Sequence, residues 1–294
     1  MKIVITGSLG NISLPLAMEL ILRGHQVTII SSNPDKKKEI ESLGAKAAIG
    51  SLENVEFLTK TFSDCNSVYC MVPPNFSKKD QVAYYKSIGS NYALAIQISR
   101  VKRVVHLSSY GAHLDNGTGF ILGSHNVEKI LNELEGIELT HIRPGYFYNN
   151  LFNFIDMIKK AGFIGTNYGG DDKMVLSHPR DIAITAAYEL EKFKTEVKVR
   201  YIASDDTRAS EIASILGFAI NKPDLKWLTF TDENTAQSLK EKGMPEHLIS
   251  NFIEMGNATH SGKMREDYDK DINKFKGVLK IQHFAQEFAN AYSK

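Results

Sequence analysis

The chain opens on a short apolar run, KIVIT at 2–6, β-branched and nearly continuous, the pattern of a strand buried on both faces. Residues 12–25 (ISLPLAMELILRGH) follow with apolar positions at helical spacing. Pro15 falls in the first turn, where a missing N–H does little harm, and Gly24 ends the helix. QVTII at 26–30 reads as a second strand, 36–44 as a short helix closed by Gly44, AKAAIG at 45–50 as a third strand and 53–63 as a third helix. SVYCMV at 67–72 is a fourth strand, broken by Pro73-Pro74 before a long helix over 79–100. RVVHLSS at 103–109 is a fifth, followed by a helix at 125–136 and the strand ELTHIRP at 138–144. Strands separated by helical segments of roughly 10–15 residues predict right-handed βαβ units and a parallel sheet.

After about residue 145 the alternation weakens. Aromatic and glycine-rich stretches appear (GYFYNNLFNF, GFIGTNYGG), then a helix at 178–192. YIAS at 201–204 and KWLTFT at 226–231 read as strands, and helices are expected over much of 233–256 and over 281–292.

Composition narrows the function classes. Of 294 residues, 43% are hydrophobic and 23% charged, so a folded core needs no staple. Lys+Arg number 35 against 34 Asp+Glu, a formal net charge of +1, which argues against an electrostatic nucleic-acid binder. Cys65 and Cys70 cannot build a disulfide framework or, by themselves, a four-ligand zinc site, and the histidines are scattered; no metal is expected. No apolar run approaches the ~20 residues of a membrane span, and MKIVITG shows no signal-peptide pattern. The expectation is a cytoplasmic protein that meets neither membrane nor nucleic acid.

The first thirty residues carry the clearest chemistry. Strand, glycine turn, helix and strand succeed one another, with Gly7 placed for the tight turn and Gly10 for close approach of a pyrophosphate to the helix N-terminus. The position of the usual third glycine holds Ser13. Gly7, Ser8, Leu9, Gly10, Asn11 and Ile12 are therefore the candidate phosphate-binding turn. After the second strand come Ser31-Ser32-Asn33 and then Lys36, Lys37 and Lys38, with no acid before Asp35. An acid there would bind the ribose diol of NAD; its absence beside lysines favours NADP(H), with NAD(H) possible and Ser32, Asn33 and Lys36 as the discriminating residues.

TGSLGNIS (6–13), VKRVVHLSSYGA (101–112), VEKILNELEGIELTHIRPGYFYNNL (127–151), DIAITAAYEL (181–190) and GMPEHLISNFIEMGNATHSG (243–262) together resemble the NmrA-like family, atypical members of the short-chain dehydrogenase/reductase superfamily. The resemblance runs along nearly the whole chain. It implies an α/β fold: a Rossmann-type doubly wound parallel sheet with a smaller α/β C-terminal substrate lobe. The NAD(P)-binding domain would span 1–150, with 178–204 returning to it, and 151–177 with 205–294 would form most of the substrate lobe. The resemblance also implies relatives that are NADPH-dependent quinone or triphenylmethane-dye reductases, beside regulators that bind cofactor without turnover.

Conventional members use a serine and a Tyr-x-x-x-Lys pair, the tyrosine serving as general acid. Ser108 and Ser109 stand in register with the serine. Counting back from Val127-Glu128 puts Phe120 and Ser124 at the tyrosine and lysine positions, and neither can do the expected task. His125-x-x-x-Lys129 offers a substitute pair on one helix face, and Tyr110 a second donor. Ligands of parallel sheets lie at strand carboxyl ends, which adds Met71, Val72, Pro73, Ser108, Ser109, Tyr110, Pro144, Gly145 and Tyr146 to the cofactor floor. Tyr146, Phe147, Tyr148 and Asn150 are the candidates for walling a flat apolar substrate. The expected function is hydride transfer from NAD(P)H to a small aromatic, quinone-like acceptor, by a monomer or homodimer. The competing expectation is a non-catalytic NADP-binding redox sensor that regulates a protein partner.

Overall fold

The computed structural model describes residues 1–294. Its strands are β1 (Lys2–Ile5), β2 (Gln26–Ser31), β3 (Lys46–Ile49), β4 (Ser67–Cys70), β5 (Arg103–Leu107), β6 (Glu138–Pro144), β7 (Tyr146–Phe147), β8 (Ile164–Thr166), β9 (Lys173–Ser177), β10 (Val199–Ala203), β11 (Asp205–Arg208), β12 (Trp227–Thr229) and β13 (Phe275–Lys276). Eight of them form one sheet in the order β13-β10-β6-β5-β4-β1-β2-β3. β1 runs parallel to both β2 and β4, and β2–β3, β4–β5 and β5–β6 are parallel too. This is the parallel sheet expected from the alternation, in the Rossmann-type form that the resemblance implies.

The chain lays β1, β2 and β3 outward in one direction and then returns to place β4 on the other side of β1. Ile3 accordingly faces Val27 on one flank and Ser67 on the other. The order reverses between β1 and β4, which opens a crevice at their carboxyl ends. Full burial explains why these strands read as continuous apolar runs: every residue of β4 is buried, and in β1 all but Lys2. Helix Ser13–Leu22 buries Ser13, Leu16, Ala17 and Leu20, the i, i+3, i+4, i+7 stripe that holds it on the sheet. Full burial of Leu16 and of Leu20 stabilises by about 1.5–3 kcal/mol each.

Two compact units can be described separately. Met1–Ser109, Gly123–Arg143 and Ile182–Arg200 form the first; Tyr110–Leu122, Pro144–Asp181 and Tyr201–Lys294 form the second. The first is cored by residues such as Val68, Ile88, Tyr92, Val104 and Val127. The second has its own core, including Tyr148, Leu151, Trp227, Phe284 and Phe288, beside the small sheets β11-β9-β7 and β12-β8.

Some boundaries differ from expectation. The helix expected over 125–136 runs from Ile121 to Asn132. The helices expected over much of 233–256 are Asp232–Glu241 and Glu246–His260, parted where Gly243 turns left-handed (φ +77°) and Pro245 has no amide to continue a helix. No helix is long and apolar enough to cross a membrane.

Candidate active site

Gly7 (φ +92°) and Ser8 (φ +54°) are consecutive left-handed residues that swing the chain from β1 toward helix Ser13–Leu22. A side chain at Gly7 is excluded by backbone and by space, since a Cβ would lie 2.6 Å from Ser13 Oγ and 2.9 Å from Met71 Sδ. Ser8 N–H donates to Ile30 O at 3.0 Å and Gly10 N–H to Gly7 O at 3.2 Å, which closes the turn. Ser13, in the place of the third glycine, is buried and donates its hydroxyl to Thr6 O at 2.9 Å. The helix therefore meets the strand through a hydrogen bond instead of bare backbone. Thr6 Oγ1 in turn accepts Met71 N–H at 2.8 Å, and the Tyr92 hydroxyl donates to Met71 O at 2.6 Å, tying the ends of β1 and β4 together. The first-turn amides of the helix, near Asn11 and Ile12, have no intrahelical acceptor and sit at its positive end.

Beside this turn lies a cleft of about 270 Å³ whose lining includes Gly7, Ser8, Ser31, Ser32, Ser51, Pro73 and Tyr84. Ser8 Oγ donates to Ser31 Oγ at 2.9 Å, and Ser31 Oγ accepts Asn33 N–H at 3.2 Å. Ser32 and Asn33 are exposed, and Asn33 Oδ1 accepts Asp35 N–H at 2.9 Å. Lys36 Nζ is 2.7 Å from Glu39 on the same surface. Glu53, also on the cleft, pairs with Lys78 at 3.3 Å. A cradle that a Cβ would fill, amides without acceptors and a hydroxyl-lined cleft fit a dinucleotide: pyrophosphate at Gly7–Ile12, and a ribose phosphate by Ser8, Ser32 and Asn33.

The strand-end serine is engaged elsewhere. Ser108 Oγ donates to Glu128 Oε1, and Arg143 grips the same carboxylate through Nε at 2.9 Å and Nη2 at 2.6 Å. All three residues are buried. One turn along the same helix, Asn132 Oδ1 lies 3.2 Å from His141 Nε2, and His141 Nδ1 lies 3.0 Å from His106 Nδ1. Burial, and for His106 also the neighbouring His141, pushes both imidazoles down to about 3, so the pair is neutral. His125 is half-buried and Lys129 exposed on helix Ile121–Asn132. Ser109 is half-buried, as are Met71 and Pro73, whereas Val72 is buried.

Within the second unit, Tyr110 is buried, its ring edge-on to Tyr268 with centroids 6.0 Å apart, and burial drives its phenol far above the ordinary range. Phe120 packs edge-on to Phe252 at 4.8 Å. Gly119 beside it donates its N–H to Glu254 Oε2 at 3.1 Å and has no room for a Cβ, which would lie 2.1 Å from Asn251 O. Gly145 is likewise a packing glycine, its N–H donating to Ser177 Oγ at 2.9 Å; Pro144 is buried with it. Tyr146 and Phe147 are half-buried, the Tyr146 phenol hydrogen-bonded to that of Tyr168. Asn150 is half-buried in the following turn. Tyr148 departs from its expected place on a substrate wall: fully buried in the core, it donates its hydroxyl to Asp205 and keeps no exposed face.

Residues 7–160 match the NAD(P)H-binding family. The chain belongs to that family. An NAD(P)H azoreductase from Xenophilus azovorans is 24% identical over 253 residues, 85% of this chain and 83% of that protein. Among solved structures, the Citrobacter sp. triphenylmethane reductase complexed with NADP(H) superposes with a TM-score of 0.79 at 17% identity, covering 98% of this chain and 100% of that one. The Escherichia coli NADPH-dependent quinone oxidoreductase complexed with NADPH gives 0.77 at 18% identity, with 99% and 98% covered. At such identity the structures show the fold alone, and that fold fits the NmrA-like resemblance.

Sequence reasoning on this NAD(P)H-binding chain missed the β3 side of the cleft, Gly50 to Glu53, together with Asn75 and Tyr84. The strand-end rule applied to β3 points to Gly50 and Ser51 directly. No spacing signal marks Asn75 or Tyr84. No group of three or more His, Cys, Asp or Glu side chains is placed to hold a metal. Burial pushes the Cys65 thiol up to about 12, so neither cysteine supplies a thiolate near neutrality.

Proposed function

We propose that this protein is an NADPH-dependent reductase that passes hydride to a small aromatic acceptor of the quinone, azo or cationic-dye kind. The observation that carries the reading is a dinucleotide cradle at Gly7–Ile12 in a chain that places Phe120, packed on Phe252, and Ser124 where a Tyr–Lys relay would stand. Bound NADPH supplies hydride from its nicotinamide ring. The chain's part is to hold the cofactor by backbone amides and hydroxyls, and to orient an acceptor electrophilic enough to accept hydride without prior protonation. Ser108 fits that division of labour, because its proton is committed to Glu128. Tyr146, Phe147 and Asn150 are the side chains offered to the acceptor, and His125 and Lys129 are the candidates for returning a proton to the product. The names of the azoreductase, quinone oxidoreductase and triphenylmethane reductase support this acceptor class.

NADPH is preferred over NADH because Ser31-Ser32-Asn33 present hydroxyls and amides and no carboxylate. Two free cysteines and an NADPH requirement accord with action in the cytoplasm. Stopped-flow oxidation of NADPH against a panel of quinones, azo dyes and triphenylmethane dyes tests the proposal. Turnover with at least one class is expected. Tight NADPH binding without turnover of any acceptor would replace the reductase by the cofactor-binding sensor.

A further inference from the structure

The first unit holds a second and larger cleft, about 880 Å³, that shares no lining residue with the cofactor cleft. It opens where β1, β2 and β3 begin, at Lys2, Gln26 and Lys46, and is closed on one side by helix Val55–Phe62. The cofactor cleft lies toward the other ends of these strands, and the two linings adjoin along β3, where Ile49 faces one and Gly50 the other. Ala48 and Phe57 give the cleft an apolar, half-exposed surface next to the free edge of the sheet.

Its charge is one-sided. Lys2, Lys46 and Lys60 border it against a single carboxylate, Asp64, which Lys2 already holds at 3.0 Å. Lys46 and Lys60 take part in no ion pair. His25 at the rim is occupied by Glu191 at 2.7 Å and contributes to neither side. In a chain of net charge +1, two uncompensated ammonium groups over an apolar surface are a local feature and not a share of a general field.

We propose that this cleft binds an amphiphilic anion, a flat or extended apolar body carrying one carboxylate or sulfonate, at a site separate from the cofactor. The volume falls within the roughly 300–1,000 Å³ of small-molecule sites and far exceeds what an inorganic anion fills. Apolar burial on Ala48 and Phe57 supplies affinity, and Lys46 and Lys60 supply selection for charge. The inference stands independently of the reductase reading.

The test is fluorescence titration with 8-anilinonaphthalene-1-sulfonate on the full chain saturated with NADPH, alongside the uncharged probe N-phenyl-1-naphthylamine. One sulfonate site is expected, at least about tenfold tighter than for the neutral probe. The double variant Lys46→Glu, Lys60→Glu should weaken the sulfonate about tenfold or more while leaving the neutral probe and the NADPH affinity unchanged. Ala48→Trp should weaken both probes by placing an indole over the apolar surface beside Phe57. Circular dichroism melts identify any variant that has lost its fold, and the remaining variant then decides. Sulfonate binding indifferent to the charge reversal or to Ala48→Trp, or competed away by NADPH, would overturn the proposal.

Discussion

Replacing Ser108 by alanine separates scaffold from chemistry at the end of β5. The hydroxyl donates to Glu128, whose carboxylate Arg143 also holds at 2.9 and 2.6 Å, and no member is more than 7% exposed at its side chain where an ion pair forms. Ser108→Ala removes one hydrogen bond to a charged acceptor, about 1.5–3 kcal/mol. It leaves the Glu128–Arg143 pair intact, so a net loss of about 1–2 kcal/mol of unfolding free energy is expected. Glu128→Ala strands the buried guanidinium and should cost about 3–5 kcal/mol, while Glu128→Met with Arg143→Met should recover most of that. Urea unfolding at neutral pH, with m checked for constancy, measures all three. NADPH oxidation at saturating acceptor is followed in parallel. A proton-donating serine would be worth about 10²–10⁴-fold in rate, whereas the geometry predicts that Ser108→Ala keeps kcat within about threefold. A hundredfold fall in kcat with an unchanged unfolding midpoint would refute the reasoning.

Gly7→Ala should weaken NADPH by about a hundredfold or more, because its Cβ collides with Ser13 Oγ and Met71; isothermal titration checks this. Ser32→Asp adds the missing acid after β2 and should shift the NADPH:NADH affinity ratio toward NADH by about tenfold, read by titrating both cofactors. The His106–His141 pair makes stability pH-dependent. Both imidazoles are held near 3 in the fold but titrate near about 6.5 when unfolded, so below pH ~6.5 the unfolded chain takes up protons that the folded chain refuses. Stability is then full above that pH and is lost on acidification toward 3, with a slope of at most about 2.7 kcal/mol per pH unit for two groups. Urea unfolding at a series of pH values should show this slope in the parent and lose it in His106→Gln, His141→Gln.

The parallel sheet was legible because burial on both faces keeps the middles of its strands apolar: KIVI, QVTIIS and SVYC carry their few polar residues mostly at the ends. The second unit was legible only in part: the expected strands at 201–204 and 226–231 and the helix at 281–292 are present, but its small strands were missed for physical reasons. β11 (DDTR) pairs with β9 through backbone alone and carries no apolar residue, while β7 and β13 are two residues long. Gly7 and Gly10 were readable from their spacing and context. The Glu128–Arg143–Ser108 cluster was not, although both charged residues lie in segments that carried the family resemblance. Their meeting depends on how helix Ile121–Asn132 lies across β5 and β6, which periodicity does not encode. Tyr148 illustrates the opposite error: three aromatics in a row read as a wall, but strand and turn geometry sends one of them into the core.

The central claim is direct hydride transfer from NADPH to an aromatic acceptor without a Tyr–Lys relay. A cationic triphenylmethane dye tests it most directly, because hydride delivered to its central carbon stays there. Single turnover with NADPH deuterated at the transferring position of the nicotinamide, followed by mass spectrometry of the leuco product, should show one deuterium on that carbon and a primary isotope effect on the rate. Leuco product without deuterium, or NADPH bound and the dye unreduced, would contradict the account.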